Sequence, residues 1–469
     1  MRIIIIGAGI AGVTAAWELQ KDGHEVILLE AAAQIASGAT YANGGQIAVA
    51  DSAPWSRAGL AWEVLKHITD RHVPYRLQVR ASFTQWRWLF NFWRNCNDKA
   101  HRRGASRNRL LAQYSQTCLQ ATRANLGDEL AYCGQQTGNL RLVATAEQEA
   151  AEREALIQER GAQTSTQAGA QTSTQAGAQT STQAGAQKSA HADTEAGTQT
   201  SSSVWLTADE LVSQEPTLAE AVAAGLVRGA IWSCGDESGD AAQFTRALTK
   251  AFTRLGGALR LNCAVQGFVL SGRAATPPTM PQSVQAVQTN QGDLEADAVI
   301  LAAGVASSQL ARQLGLYVPI LPVKGYSVTV PIHNEALAPQ ASLTDINHRL
   351  VITRLGRFLR VAGYAEIGTD TQIDRKRIEA MIDYMKCFFP QAGDYSKPEN
   401  WVGFRPLTPD SAPLIGRMQA YDNLWFHTGH GTLGWTLAHG TARLLADIMS
   451  GTPPKLDTTP FAPDRRFIS

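Results

Sequence analysis

Three glycines, Gly7, Gly9 and Gly12, and one carboxylate, Glu30, carry the clearest chemistry in this sequence. They form G-x-G-x-x-G after an apolar strand and at the start of a helix. The first glycine allows a tight turn, the second lets backbone approach a pyrophosphate, and the third lets helix and strand pack closely. The helix N-terminus then presents free N–H groups and a positive dipole end to phosphates. Glu30 closes the next strand. A carboxylate there accepts hydrogen bonds from adenosine ribose hydroxyls and repels a 2′-phosphate, which points to FAD or NAD and away from NADP. A merely structural glycine turn is the plainer reading. The strand, helix, second strand and acid are all in place, which favours a cofactor.

Two further segments favour a flavin. Ser37–Gln46 (SGATYANGGQ) is a loop of small residues that lets backbone approach a flat ring. Phe426–Trp435 (FHTGHGTLGW) is a glycine-rich turn feeding an apolar helix, expected over Thr436–Met449. Such a helix end suits the pyrimidine side of a flavin, where its dipole stabilises negative charge. The candidate cofactor contacts in the first unit are Ile3, Ile4, Ile5, Ile6, Gly7, Ala8 and Gly9, then Ile10, Ala11, Gly12, Val13, Thr14, Ala15, Ala16 and Trp17, with Glu30. Ala42, Asn43, Gly44, Gly45 and Gln46 come from the small-residue loop. Val265, Gly304, Gly429, His430, Gly431, Thr432, Leu433 and Gly434 complete the set.

Arg405, in GFRPLTPD, offers a planar two-point grip on a carboxylate, and Pro406 stiffens its backbone. The alternative is an arginine held in a structural ion pair. Tyr326, in VKGYS, either hydrogen-bonds the same carboxylate or is a core tyrosine. Lys324 either sits near the flavin or lies on a strand surface, the second being the plainer reading. His427 and His430 flank the second glycine turn, where positioning or packing suits them better than general-base work. No metal site is expected. The six cysteines are spread singly and read as buried free thiols in a reducing compartment.

These residues need elements to hold them. Arg2–Ile6, Ile10–Lys21 and Glu25–Glu30 read as one βαβ unit, with Gly23 ending the helix. Ala241–Leu255 reads as a helix, followed by strands Ala258–Leu261 and Asp297–Ala303. These distant pieces look like returns to the first sheet. Leu321–Pro331 and Arg357–Tyr364 have strand composition and suit an antiparallel sheet. The expected fold is α/β: a discontinuous Rossmann-like cofactor domain (1–50, 236–310 and 400–450) with a second α+β substrate domain (51–235 and 311–399). A tail of 451–469 follows.

The chain has 469 residues, 44% hydrophobic and 18% charged, which is a globular composition long enough for two domains. Its formal net charge is +1 and its pI about 7.7, so nothing points to nucleic acid as a partner. The octamer GAQTSTQA starts at Gly161, Gly169 and Gly177. It lacks large apolar side chains to offset its ordering entropy, so 161–203 is expected to be a polar surface loop. No apolar run is long enough for a transmembrane helix. Phe83–Trp93 (FTQWRWLFNFW) either docks on a membrane surface or forms a core helix.

Several motifs together resemble a known family. They are Ile3–Leu19, Thr40–Ala48 (TYANGGQIA), Ala53–Trp55, Val323–Ile332 (VKGYSVTVPI), Gly403–Gly416 (GFRPLTPDSAPLIG) and Gly429–Gly440 (GHGTLGWTLAHG). The chain resembles the D-amino acid dehydrogenases, within the broader group of D-amino acid oxidase, glycine oxidase and sarcosine oxidase. Two departures stand out: the octamer repeat, and Gly44 where the family pattern has alanine. The resemblance implies non-covalent FAD and oxidative deamination of a D-amino acid to a 2-oxo acid and ammonia. Hydride passes from Cα to FAD, and electrons pass on to a quinone-type acceptor. It also implies that Arg405 holds the substrate carboxylate. The expected location is cytoplasmic, or peripheral at the inner face of the cell membrane. Alternatives are a glycine- or sarcosine-type oxidase using oxygen, a flavin domain acting on modified tRNA, and a non-catalytic FAD-binding subunit.

Overall fold

The computed structural model describes residues 1–60, 62–63, 75–77, 82–158, 203–271, 281–368 and 370–467. Of the segment expected as a polar loop, only Ser203 lies among these, and it opens a strand, Ser203–Thr207.

The first strand, Arg2–Ile6, is the axis of a six-stranded sheet. Across the sheet the order is Leu414–Arg417, Leu424–Thr428, Ala298–Leu301, Arg2–Ile6, Glu25–Leu29 and Ala258–Arg260. All neighbours are parallel except the first two strands, which form an antiparallel pair. Parallel strands need a covering on both faces, which explains why this strand is an unbroken apolar run. Ile3 and Ile5 enter one core and Ile4 and Ile6 another, by the strand's period of two. On the first face lie three helices, Ile10–Lys21, Ala241–Arg254 and Gly434–Ser450. On the other lie the helix Ala306–Gln313 and a three-stranded sheet of Val265–Leu270, Val284–Thr289 and Gly292–Glu295.

A second, nine-stranded sheet runs Glu399–Leu407, Leu321–Pro331, Phe358–Ile367, Leu350–Leu355, Ser342–Asp345, Asn139–Val143, Gly229–Ser233 and Ser203–Thr207. Tyr75–Leu77 pairs with Phe358–Ile367 off this path. Its pairs are antiparallel apart from two: Ser342–Asp345 with Asn139–Val143, and Tyr75–Leu77 with Phe358–Ile367. Residues 399–407 thus pair in this sheet, although the sequence division puts 400–450 in the cofactor domain. The edge strand of one sheet and the helix of the other share that stretch, and composition gives no sign of the crossing.

The helix Arg375–Phe388 covers the back of the second sheet with Ile378, Met381 and Met385. Its Arg377 meets a buried polar cluster. Glu366 receives Lys324 Nζ at 3.0 Å and Arg377 Nε at 2.7 Å, and all three are buried. Lys324 is therefore not a strand-surface residue; it faces Glu366 across the sheet in register. The cluster pins the helix to the two central strands. Replacing Glu366 with leucine removes the buried carboxylate that Lys324 and Arg377 share, with Asp370 3.9 Å from Lys324. The expected cost is about 3–5 kcal/mol, read as a drop in the urea unfolding midpoint.

Candidate active site

A cavity of about 1280 Å³ lies between the two sheets. That exceeds the roughly 300–1,000 Å³ usual for one small ligand, so it has room for an extended cofactor beside a substrate. Two helix N-termini open onto it. Gly9 caps the helix Ile10–Lys21 with no side-chain hydrogen bond. Leu433 likewise caps Gly434–Ser450. Gly9, Ile10 and Ala11 line the cavity near one, and Gly431, Thr432, Leu433 and Gly434 near the other. Thr40 Oγ1 accepts the Ile10 N–H at 3.1 Å, which orders the first helix against the small-residue loop.

Each fingerprint glycine has its own job. Gly7 has φ +107°, and a Cβ there would meet the Ala303 Cα at 2.7 Å. A Cβ on Gly12 would stand 1.8 Å from the Gly7 carbonyl oxygen. These two make the turn and the close packing. Gly9 also lines the cavity, and a Cβ there would crowd Thr40 Oγ1 at 3.3 Å, so its bare backbone suits a phosphate. Glu30 lines the cavity too and accepts N–H groups of Ala8 and Ala32, each at 2.9 Å. The bonds hold the carboxylate in one orientation for a ribose.

The structure sorts the sequence-predicted contacts. Ile6, Gly7, Gly9, Ile10, Ala11, Glu30, Ala42, Asn43, Gly44, Gly45, Gln46, Val265, Gly304, His430, Gly431, Thr432, Leu433 and Gly434 line the cavity. Eleven other candidates do not. Ile3, Ile4 and Ile5 are core of the first sheet. Ala8 acts through its N–H to Glu30, and Gly12 through packing. Val13, Thr14, Ala15, Ala16 and Trp17 are buried in the helix interface; Thr14 Oγ1 donates to the Ala438 carbonyl at 3.2 Å. Gly429, at φ +76°, shapes its turn against Thr408. For the helical residues the cause is that a helix presents only its first turn to a ligand at its N-terminus.

The small-residue loop is held from behind. Thr353 Oγ1 donates to the Gly44 carbonyl at 2.7 Å, and Arg360 Nη1 to the Asn43 carbonyl at 3.3 Å. Gln46 Nε2 donates to Asn139 Oδ1 and Thr344 Oγ1, both at 3.0 Å. A Cβ on Gly44 would meet Val351 Cγ2 at 2.8 Å, so the glycine here goes with the valine beneath it.

Arg405 lines the cavity and lies deep in the fold. Burial pulls its guanidinium down to about 10, still cationic at neutral pH. Its Nη1 donates to the Tyr364 carbonyl at 2.8 Å and Nη2 to that of Gly363 at 3.5 Å. No ion-pair partner for it occurs among the described residues. A Cβ on Gly325 would overlap the guanidinium at 2.4 Å, so that glycine makes the space in which it lies. Tyr326 sits one residue on, and its side chain belongs to the opposite face of the sheet. Its hydroxyl donates to Glu366 Oε2 at 3.0 Å, and the ring enters the core under Arg375–Phe388. Of the two readings of Tyr326, the ring meets the core one, while the residue also lines the cavity beside Gly325 and Arg405.

His427 and His430 are buried side by side. His427 Nδ1 donates to the Ala11 carbonyl at 3.0 Å. Its Nε2 then accepts from Thr441 Oγ1 at 2.8 Å, and Thr441 accepts His430 Nε2–H at 3.0 Å. Burial lowers His427 to about 4 and His430 well below the usual imidazole range. Both are neutral at pH 7 and weakly basic. They tie the second glycine turn to the first helix.

Sequence reasoning passed over Trp55, Tyr75, Arg141, Asp345, Arg349 and Tyr364, which line the remaining wall. They come from five separate stretches, Asp345 and Arg349 sharing one hairpin; Trp55 alone fell within a quoted motif. Cys263 also lines the cavity, beside Glu30, and donates its N–H to the Glu30 carbonyl at 2.8 Å. None of the six cysteines is in a disulfide among the described residues, but only Cys263 is buried; Cys96, Cys118 and Cys133 are half-buried and Cys234 and Cys387 exposed.

A nucleotide-binding sheet, two uncapped helix ends and a deep guanidinium at one long cavity define an FAD-binding oxidoreductase, and the comparisons agree. The chain belongs to the FAD dependent oxidoreductase family, whose model matches residues 2–448. Its cofactor is FAD, which the cavity residues fit in length and donor chemistry. Within that family it is 34% identical over 468 residues to the D-amino acid dehydrogenase of Paramagnetospirillum magneticum, covering 99% of each chain. It is 33% identical over 460 residues to that of Granulibacter bethesdensis, covering 97% of each. Among solved structures it resembles glycine oxidase from Geobacillus kaustophilus, with a TM-score of 0.69, 20% identity and 99% of each chain covered. The last likeness concerns the fold.

The histidine pair sets a pH response. His427 is neutral when folded and is protonated near 6.5 when unfolded. Its stabilising contribution is complete above that value. It is lost as pH falls through the window from about 6.5 to about 4. The slope is up to roughly 1.4 kcal/mol per pH unit for each such group. Thermal midpoints measured across this window should fall with acid, and less steeply in His427→Gln than in the parent.

Proposed function

We propose that this enzyme oxidatively deaminates D-amino acids and passes the electrons to a quinone-type acceptor. The observation that carries the reading is Arg405. It is a half-buried cation on the cavity wall with no ion-pair partner among the described residues, on the same cavity as both glycine-rich helix ends. Burying a charge is costly unless something compensates it, and an α-carboxylate is a matching anion. The backbone carbonyls of Gly363 and Tyr364 hold two corners of the guanidinium and leave it oriented for a two-point grip.

When bound, FAD would supply the hydride acceptor for the substrate Cα, so the hard chemistry would belong to the cofactor. The protein's part is to hold Cα against the ring. Arg405 anchors the carboxylate, and Trp55, Tyr75 and Tyr364 shape the space around the side chain. The helix ends at Gly9 and Gly434 would hold the cofactor and offer positive dipole to its anionic groups. The neutral His427 and His430 position the second turn rather than take a proton. Water hydrolyses the released imino acid to a 2-oxo acid and ammonia. The names of the curated relatives support this substrate class. Among the described residues no helix is long and apolar enough to cross a membrane. The quinone reading therefore carries a peripheral location, at the inner face of the cell membrane.

An anaerobic absorbance titration checks this directly. D-Alanine should bleach the flavin band while L-alanine does not; bleaching by neither, with reduction by glycine or sarcosine instead, overturns the substrate. Arg405→Lys should keep FAD bound and lower kcat/KM for D-alanine by roughly 10–100-fold, because an ammonium cannot give two parallel bonds. Fast reoxidation of the bleached flavin in air would favour oxygen over quinone.

A further inference from the structure

The helix Phe83–Asn95 buries Gln85, Trp88 and Asn95 and turns a row of aromatic rings outward. Phe83 is 82% exposed, Trp86 54%, Phe90 52% and Trp93 60%. Their spacing of three, four and three places them on one helical face. Phe90 and Trp93 touch at 6.0 Å between ring centroids, so the rings form a patch. This is not the composition of a core helix. Single exposed apolar residues need no explanation, but four large rings on one face do.

Along the chain at the patch, cations outnumber acids. Between Phe83 and Arg103 the sequence holds Arg87, Arg94, Lys99, Arg102 and Arg103 against the single acid Asp98. All five cations are exposed. Aromatic rings interleaved with arginine and lysine match the headgroup layer of an anionic bilayer: the rings enter the apolar boundary and the cations meet lipid phosphates. A protein partner with an apolar groove would not call for this cationic surround.

The inward side of the helix reaches the site. Trp88 donates its Nε1–H to the Leu407 carbonyl at 3.0 Å, at the end of the strand that carries Arg405. Trp88 packs with Leu321, Val323 and Leu407, and the cavity residues Trp55 and Tyr75 pack against the same cluster.

We propose that the outer face of Phe83–Asn95, with the cations that follow it, is the surface by which this protein lies on an anionic lipid bilayer. The inference rests on the reading of a peripheral enzyme with a quinone acceptor, and names the surface. Docking there sets the wall formed by Trp55 and Tyr75 next to the bilayer, where a lipid-soluble acceptor is dissolved.

The test uses the FAD-loaded full chain and two vesicle types, phosphatidylcholine with and without phosphatidylglycerol. Wild-type protein should float with the phosphatidylglycerol vesicles, with tryptophan emission shifted to the blue, and binding should weaken as salt is raised. The combined variant Trp86→Gln, Phe90→Gln and Trp93→Gln should bind at least tenfold more weakly. Arg94→Glu with Arg102→Glu should lose the preference for phosphatidylglycerol. Both should keep their FAD and their turnover of D-alanine with a water-soluble dye. Unchanged binding by the aromatic variant overturns the proposal. So does a wild type that ignores vesicles, including one whose rings are covered by a second copy, seen as a dimer in sedimentation that the variant loses. The two readings fail separately: vesicle binding without flavin reduction by D-amino acids sinks the enzymatic reading, and reduction without vesicle binding sinks the docking surface.

Discussion

A Cβ at Gly12 would sit 1.8 Å from the Gly7 carbonyl oxygen, and that contact sets how closely the first helix lies over the first strand. With the helix so placed, its N-terminal N–H groups end at the mouth of the turn instead of a residue's width away. The rest of the site is assembled around that line. Glu30 is oriented by the Ala8 N–H on the turn itself, and His427 reaches the Ala11 carbonyl from the far strand. The second glycine turn is thereby registered against the first, although more than four hundred residues separate them in sequence.

The second sheet answers this arrangement with one cation. Arg405 is desolvated by burial alone, and its guanidinium fits because Gly325 on the neighbouring strand has no side chain. Arginine is the cation best suited to such a place, since its charge persists at a pKa of about 10 and its planar head is less strongly hydrated than an ammonium. One residue out of phase, Lys324, Tyr326 and Arg377 converge on the Glu366 carboxylate, with Asp370 3.9 Å from Lys324. The same strands thus carry an open charge on one face and a satisfied network on the other. The network's rigidity supports the position of the open charge.

The aromatic helix joins the site to the outside. Trp88 faces the Arg405 strand while Phe83, Trp86, Phe90 and Trp93 face away. One short amphipathic segment therefore has a packed side that is continuous with the cavity wall and a free side with the character of an interfacial helix.

Local pattern determined a good deal by itself. Arg2–Ile6, Ile10–Lys21 and Leu321–Pro331 are legible from apolar runs, a helix-ending glycine and β-branched composition, because those signals act within a few residues. The fingerprint, Glu30 and the GHGTLG turn marked the cofactor for a similar reason: phosphate and ring contacts are made by backbone, and backbone access demands glycine at set positions. The tertiary structure decided what local pattern cannot. Alternation says that Arg405 and Tyr326 lie on opposite faces once their strands are paired, but which face meets the cavity follows from where the two sheets close on each other. The residues of the remaining wall come from separate stretches brought together only by that closure, so no spacing announces them. The aromatic stretch shows the same division. Its periodicity sits in the sequence, yet whether its rings fill a core or meet a surface depends on which side packs against Leu321, Val323 and Leu407. Burial is a property of the whole fold and is written nowhere in the segment itself.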